Sequence, residues 1–388
     1  MVEEMTRNFQ YRIYPTGNQE KQMNSILIVC MRLWNYFLDQ KSTTYKTTKK
    51  SISCFTQIKE IPKLAIKDPS IKEVYSQTMQ EVPRRLDKAF QAFFRRCKSG
   101  ETVGFPRFKH KDRYNSFTYP QNNGSFKLTE DGKIYLSKIG CVKIEYHREA
   151  KGIWKTCTIK KTCTGKWYVV ISSILPDISV KKSTKPAVGI DLGLKEFAVL
   201  SDGNKIKRAR FFKAEEVALA KAQRKLSKQK KGSKERRRAK KVVARVHERI
   251  VNKRRDFTHQ NSKMIVNKYG VICLENLNIK GMLEKPSIKI NGIDMSAKPI
   301  HRSTADVAWN EFVNQLKYKA EEAGSSVVMV NPKNTTKACS ACGKLTDKDL
   351  SVRVHSCSCG LEIDRDLNAS KNILAVGLHS LEVLKKAS

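Results

Sequence analysis

Four cysteines fall within 21 residues of one another, at Cys339, Cys342, Cys357 and Cys359. The spacing is C-x2-C, fourteen residues, then C-x-C. Each pair can bite one tetrahedral Zn2+, and the loop between the pairs closes the site. Lys337 and Gly343 frame the first knuckle, and Gly360 frames the second. Four protein ligands leave no open position, so one structural zinc ion in a ribbon is expected. The second pair is one residue tighter than the usual knuckle. His355 is a spare ligand if Cys357 or Cys359 does not bind. Reduced thiols with no metal are the competing reading, and they leave the clustering unexplained. The remaining seven of the 11 cysteines are scattered singly and read as small buried side chains.

The acids come next. Asp191 lies in "VGIDLG" and Glu275 in "VICLENL", each inside an otherwise apolar run that reads as a strand. A lone carboxylate there is costly unless it is paired or binds metal. Directly after the second cysteine pair comes "EIDRDLNAS", which opens a helix with Asp364 and Asp366. Aspartate also caps helices, so one of these two is expected to serve the helix rather than a site. Two strands and a helix start give three carboxylates that can converge. Such a set suits two Mg2+ ions about 4 Å apart, which activate a water and stabilise the leaving oxygen of a phosphodiester. The order of Asp on a first strand, Glu on a later strand and Asp on a terminal helix is how a ribonuclease H-like nuclease is built.

The elements that must position these groups are legible in outline. Residues 7–14 alternate as a strand, and residues 19–50 have helical apolar spacing. A second helix is expected over 70–98, with Arg84, Arg85, Lys88, Arg95 and Arg96 beside an aromatic face. "GFPRFKHKDRYNSFTYP" (104–120) then interleaves aromatics with Arg107, Lys109, Lys111 and Arg113, a pattern that suits stacking on splayed nucleic acid. Period-two segments follow to residue 175, broken by "NNG", "DG" and "TG" turns. These strands and the first one are expected to form a small β-barrel, with the helices inserted between them. "PDISVKKSTKP" (176–186) is polar and marks a junction.

The second half begins with strand–turn–strand signals and then becomes strongly basic. Over residues 205–255 there are 22 Lys and Arg against 4 Glu. Apolar residues survive at helical spacing, and "KQKKGSK" interrupts them, so a helical hairpin with a basic tip is expected. Arg224, Lys230, Lys231, Arg236, Arg237 and Arg238 are its candidate phosphate contacts. Residues 269–277 and 325–332 read as buried strands, 305–323 as an amphipathic helix, and 366–384 as a final helix.

The whole chain of 388 residues carries 76 Lys+Arg against 37 Asp+Glu, a formal charge of +39. An excess that large and that evenly spread calls for a polyanion, and nucleic acid is the expected partner. "MVEEMTRNFQYRIYP" lacks the apolar core of a signal peptide. The longest apolar run, Ile26 to Met31, is too short to span a bilayer. A soluble, intracellular protein without a membrane partner is expected.

Taken together, these motifs resemble the TnpB family, transposon-encoded RNA-guided nucleases related to the type V CRISPR effectors. The resemblance covers nearly the whole chain. It rests on "YRIYPT", "FFRRCKSGE…GFPRF", "GIDLGLKEFAV", "LAKAQRKLSKQKKGSKERRRAKKVVARVHERI", "ICLENLNIKGM", "TADVAWNEFVNQLKYKAEEAG" and "NPKNTTKACSACG…CSCGLEIDRDLNASKNI". It implies a multidomain α/β chain. An N-terminal wedge-like β-barrel (1–15 and 104–180) would carry a helical recognition insertion (16–103). A linker (181–186) would lead to a RuvC, ribonuclease H-like nuclease domain (187–334 and 364–388) with an inserted zinc ribbon (335–363) that guides the target strand. It further implies that Asp191, Glu275 and Asp366 form the catalytic, Mg2+-binding site, leaving Asp364 a supporting role. Arg365 could then hold a carboxylate or phosphate, and Asn368 could orient the site.

A guide RNA from the transposon end would pair with double-stranded target DNA beside a short flanking motif, and the single RuvC site would cut both strands in turn. The setting would be a prokaryotic cytoplasm, at the nucleoid. An accessory transposase is left open. Three other readings stand beside this one: a transposase acting by strand transfer, a catalytically silent RNA-guided DNA-binding regulator, and an RNA-binding zinc-ribbon protein without catalysis.

Overall fold

A computed structural model describes residues 6–175, 182–284, 287–290, 293–296, 306–347 and 352–387. Most of the expected polar junction, residues 176–181, and the start of the helix expected from residue 305 lie outside them. The chain divides into two compact units, Met1–Ile178 and Ser179–Ser388.

In the first unit, strand β1 (Thr6–Tyr14) buries Phe9, Tyr11 and Ile13 on one face. Three helices follow: α1 (Gly17–Thr48), α2 (Cys54–Lys67) and α3 (Ser76–Lys98). A capping box starts α1, with Thr16 and Gln19 exchanging side-chain and backbone hydrogen bonds. Then come β2 (Ser116–Tyr119), β3 (Phe126–Leu128), β4 (Lys133–Leu136), β5 (Gly140–Ile144), β6 (Ile153–Lys161) and β7 (Trp167–Ile174). All seven strands form one sheet in the order β2-β6-β7-β1-β5-β4-β3, antiparallel throughout. The helices therefore leave from the central strand and return at an edge. No backbone ladder joins β2 to β3 among the described residues. Side chains bring the two edges together instead. The Tyr119 and Phe126 rings lie 6.3 Å apart, and the Tyr119 hydroxyl donates to Ser137 O at 2.8 Å. The segments expected to make a small β-barrel thus form this one sheet, whose two edge strands meet through side chains.

Helix α2 is absent from the sequence reading. Pro62 falls inside it, but Ser53 caps its start by accepting from Thr56 N at 3.1 Å. Its buried Gln57 donates to Phe37 O at 2.9 Å. The apolar periodicity is too sparse to show this helix, because it buries only Gln57 and Ile61.

The second unit is built on a mixed sheet of five strands: β8 (Ala187–Leu192), β9 (Glu196–Leu200), β10 (Lys205–Lys207), β11 (Val271–Glu275) and β14 (Ser326–Val330). Their order is β10-β9-β8-β11-β14. The first three pair antiparallel, and β8, β11 and β14 run parallel. Between β10 and β11 stands a long hairpin of α4 (Phe211–Ser227) and α5 (Lys234–Lys268). Helix α6 (Ile279–Glu284), a small hairpin of β12 (Ser287–Ile290) and β13 (Ile293–Ser296), and α7 (Trp309–Glu322) precede β14. A last hairpin, β15 (Val354–Ser356) and β16 (Glu362–Asp364), runs without a break into the C-terminal helix α8 (Arg365–Ala387).

The two faces of this sheet bury different partners. Val188, Ile190, Leu192, Ile272 and Leu274 pack with Ile265 of α5 and with Phe312 and Leu316 of α7. Strand side chains alternate, so Gly189, Asp191, Cys273 and Glu275 belong to the opposite face. There Cys273 and Val330 pack with Ile373 of α8.

Candidate functional site

Strands β8 and β11 pair in parallel from Ala187 with Val271 to Ile190 with Leu274. Asp191 and Glu275 are the next residue on each strand. They stand side by side at the carboxyl ends of two parallel strands, where open α/β sheets bind their ligands. Gly189 and Gly377 let helix α8 lie directly on the sheet, with Asp366 in its first turn near enough for its charge to act on Asp191. A Cβ on Gly189 would fall on Ser370 O and within 2.6 Å of Leu374 N. One on Gly377 would meet the Cys273 side chain, with Cβ at 2.8 Å.

Asp191 feels the other two acids. Asp191 is pushed up from 3.8 to about 7, by burial first and then by the negative charges of Glu275 and Asp366. Burial also raises Glu275, and the hydrogen bond that it accepts from the Thr335 hydroxyl opposes this rise. Arg365 gives Asp366 Oδ1 a two-pronged contact, with Nε and Nη2 each at 3.2 Å. One guanidinium does not balance three acids. That makes Asp191, Glu275 and Asp366 the residues that could hold divalent cations.

Asp364 has a different task. Its Oδ1 accepts from the N–H groups of Asp366 at 2.9 Å and Leu367 at 3.2 Å, which makes it the N-cap of α8. Its Oδ2 pairs with Lys205 Nζ at 2.9 Å. Burial acts to raise this carboxyl, but Lys205 and the two N–H groups outweigh it and hold it below the usual range.

Other buried acids serve the fold. Asp306 accepts from Phe212 N and from Arg254 Nη2, the latter at 2.8 Å. Glu215 joins α4 to α5 through Arg249 at 3.0 Å and Lys253 at 2.9 Å.

The four sulfurs of Cys339, Cys342, Cys357 and Cys359 all lie within 4.8 Å of one another. Cys339–Cys359 and Cys342–Cys357 are each 3.6 Å apart. A tetrahedral zinc with bonds of about 2.3 Å needs sulfurs about 3.8 Å apart, so the cluster fits that ion. The short C-x-C pair forms a tighter turn than its longer counterpart, closed between residues three apart instead of four. Gly343 N donates to Cys339 O at 2.9 Å and Gly360 N to Cys357 O at 3.0 Å. Both glycines take positive φ, 75° and 89°, which a side chain would strain. The Cys359 N–H leads in lowering the Cys357 thiol to about 6. Cys359 goes the other way, to about 11: the Leu361 N–H lowers it, and the hydrogen bonds of the other three thiols outweigh that. His355 is fully buried on β15, and the group that could hold the ion consists of the four cysteines alone. Asn368, also fully buried, binds the first knuckle: Nδ2 donates to Ala338 O at 2.7 Å and Oδ1 accepts from Ser340 N at 2.9 Å.

The candidate phosphate contacts divide into two groups. Arg95, Arg96, Arg107, Lys111 and Arg113 of the first unit are exposed, as are Arg224, Lys230, Lys231, Arg237 and Arg238 at the tip of the α4–α5 hairpin. Arg84 and Lys109 are half-buried, and Lys109 Nζ lies 5.4 Å from the centre of the Trp34 ring. Arg85 donates to Ser116 O at 2.9 Å and to Ser116 Oγ at 3.0 Å. Arg236 donates to Leu226 O at 2.9 Å and Gln229 O at 3.0 Å, bracing the hairpin turn. Those two arginines hold the fold. Phe94, Phe105 and Phe108 are exposed among the basic residues of the first unit, the last two within the aromatic and basic segment 104–120. Thr335 had not been singled out in the sequence, although it stands in the "NTTKACSACG" motif. Among the described residues, no helix is long and apolar enough to cross a membrane.

Comparison with known proteins bears on this geometry. A family model described as "Probable transposase" matches residues 170–285, one for a "Cas12f1-like, TNB domain" matches 309–373, and one for a "Helix-turn-helix domain" matches 1–50. A "Putative RNA-guided DNA endonuclease" of Streptomyces pristinaespiralis is 32% identical over 393 residues, covering 97% of this chain and 91% of its own. This chain belongs to the TnpB family. A second TnpB-family relative, from Escherichia coli (strain K12) and named "Putative RNA-guided DNA endonuclease InsQ", is 30% identical over 95% of this chain and 92% of its own. In fold, this TnpB protein is similar to the protein in a Cas12f1-sgRNA-target DNA complex, with a TM-score of 0.55 at 13% identity, covering 95% of this chain and 98% of that one. The segment matched as helix-turn-helix holds β1 and the single long helix α1.

Proposed function

We propose that this protein is an RNA-guided DNA endonuclease that cuts double-stranded DNA beside a short flanking motif, by Mg2+-dependent hydrolysis at one RuvC-type site. What supports this reading is that Asp191 and Glu275 stand at the carboxyl ends of the paired strands β8 and β11, with Asp366, in the first turn of α8, near enough for its charge to act on Asp191. Burial, and then the charges of Glu275 and Asp366, raise Asp191 to about 7. Strand order β10-β9-β8-β11-β14, antiparallel then parallel, suits a ribonuclease H-like nuclease. The names of the two relatives support guidance by RNA and action on DNA.

The three carboxylates would hold two Mg2+ ions, which supply an activated water and a stabilised leaving oxygen. Arg365 orients Asp366, and Asp364 fixes the start of α8 so that Asp366 enters the site at one angle. The cysteine cluster would hold one structural Zn2+. The exposed basic residues of both units, and the +39 charge, suit a long guide RNA and a DNA duplex bound together. Base pairing would then carry the specificity, and the protein would read charge and shape.

The test is to express the protein with its flanking DNA, purify it, and sequence the nucleic acid that comes with it. One dominant RNA with a fixed scaffold and a variable end is expected, and that end should direct cutting of matching DNA with Mg2+. A random mixture of cellular RNA, or DNA alone, would remove the guide and favour strand transfer by a transposase.

A further inference from the structure

We infer that Thr335 is a positioning residue that ties the cysteine cluster to Glu275, so that zinc sets how firmly the carboxylate site holds divalent cations. This rests on the carboxylate site proposed above and adds a coupling to it. Thr335 is 4% exposed and Glu275 is 9% exposed, so neither depends on water to fix its direction. The Thr335 hydroxyl donates to Glu275 Oε1, and its oxygen also lies 3.1 Å from a second acceptor, Pro332 O. The Thr335 carbonyl accepts from Asn372 Nδ2 at 2.8 Å. That amide also donates to Ala338 O at 2.7 Å, where Asn368 Nδ2 meets it, again at 2.7 Å.

The connecting turn is short and stiff. Lys337 N and Ala338 N both donate to Asn334 O, at 3.0 and 2.9 Å. Asn334 itself takes the left-handed conformation, with φ of 65°. Cys339 follows directly. One end of this turn therefore grips the carboxylate on β11, and the other end is a zinc ligand. Asn368 and Asn372 fasten its middle to α8, two and six residues beyond Asp366. Two acids from different elements are thus referenced to one turn, and a metal at Cys339 would lock that turn. A carboxylate with one oxygen held by a neutral donor presents the other in a fixed direction, which favours a cation with strict geometry.

The experiment compares full-length wild type with Thr335→Val, Thr335→Ser, Asn372→Ala, Cys342→Ser and Asp191→Ala. Zinc content is measured first, then Mn2+ binding by electron paramagnetic resonance, with the sites that survive in Asp191→Ala subtracted. Thr335→Val and Asn372→Ala are expected to keep zinc yet weaken Mn2+ binding about ten- to a hundredfold. Thr335→Ser should remain near wild type, because it keeps the hydroxyl. Cys342→Ser should lose zinc and weaken Mn2+ binding as well. Unchanged Mn2+ affinity in zinc-loaded Thr335→Val and Asn372→Ala, or in zinc-free Cys342→Ser, would overturn the coupling. If Asp191→Ala instead binds Mn2+ like wild type, the carboxylate site itself fails, and with it everything built on it.

Discussion

Asp191 makes the metal-free fold weaker as the pH rises. Burial and the charges of Glu275 and Asp366 lift its carboxyl from 3.8 to about 7 in the folded chain. Below the unfolded value the group is protonated in both states and costs nothing. As the pH climbs, the unfolded chain releases the proton while the fold retains it, and stability is lost until the folded value is passed. The loss is on the order of a few kcal/mol. Asp191→Asn should therefore raise the Tm of the metal-free protein at about pH 8 and far less at about pH 4. Mg2+ should raise the wild-type Tm at the higher pH and leave the variant's unchanged. Equal gains at both pH values would deny the strained carboxylate.

Asp364 and Asp366 make a sharper pair. Asp364→Asn keeps a cap oxygen for the N–H groups of Asp366 and Leu367 and should cut within about tenfold of wild type. Asp366→Asn should not cut at all. The sequence alone showed that one of the two would cap the helix, while the choice between them needed the family motif. Thr335 stayed hidden because a threonine beside a cysteine knuckle looks like any turn residue until its partner on β11 is seen.

At the scale of elements, the site depends on how closely α8 can lie on β8. Gly189→Ala would place a methyl group on the Ser370 carbonyl, and a backbone atom cannot step aside. A loss of about 3 kcal/mol in urea unfolding and loss of cutting are expected, against little change for Gly17→Ala, which meets nothing within 4 Å. A neutral Gly189→Ala would mean that α8 has room to move. Strands β1, β11 and β14 were legible from their alternation or their short β-branched runs, and α8 from its acidic start. Helix α2 was not, because one inward face of two residues leaves no period to read. Helix α5 runs on to Lys268, beyond the basic stretch that announced it. The meeting of β8 with β11 was invisible as a pairing, since 78 residues separate Leu192 from Val271 and only the lone acids hinted at it.

At the scale of the molecule, charge is the message that sequence carries best. The +39 excess needs no fold to be read, and most of its candidate contacts remain exposed. RNA binding should weaken about 10³- to 10⁵-fold between roughly 50 and 200 mM salt if six to ten phosphates are neutralised. A flat salt response would contradict an electrostatic RNA interface. Which basic side chains are exposed was not legible, because Arg85 and Arg236 differ from their neighbours only in the carbonyls that the fold sets before them.

The most direct measurement is cutting of a matched DNA duplex by the purified RNA complex with Mg2+, for wild type and for Asp191→Ala, Glu275→Ala and Asp366→Ala, with DNA binding measured in parallel. Wild type is expected to cut, and each variant is expected to bind normally and leave the DNA intact. Cutting at the wild-type rate by any one of the three would remove that residue from the catalytic site.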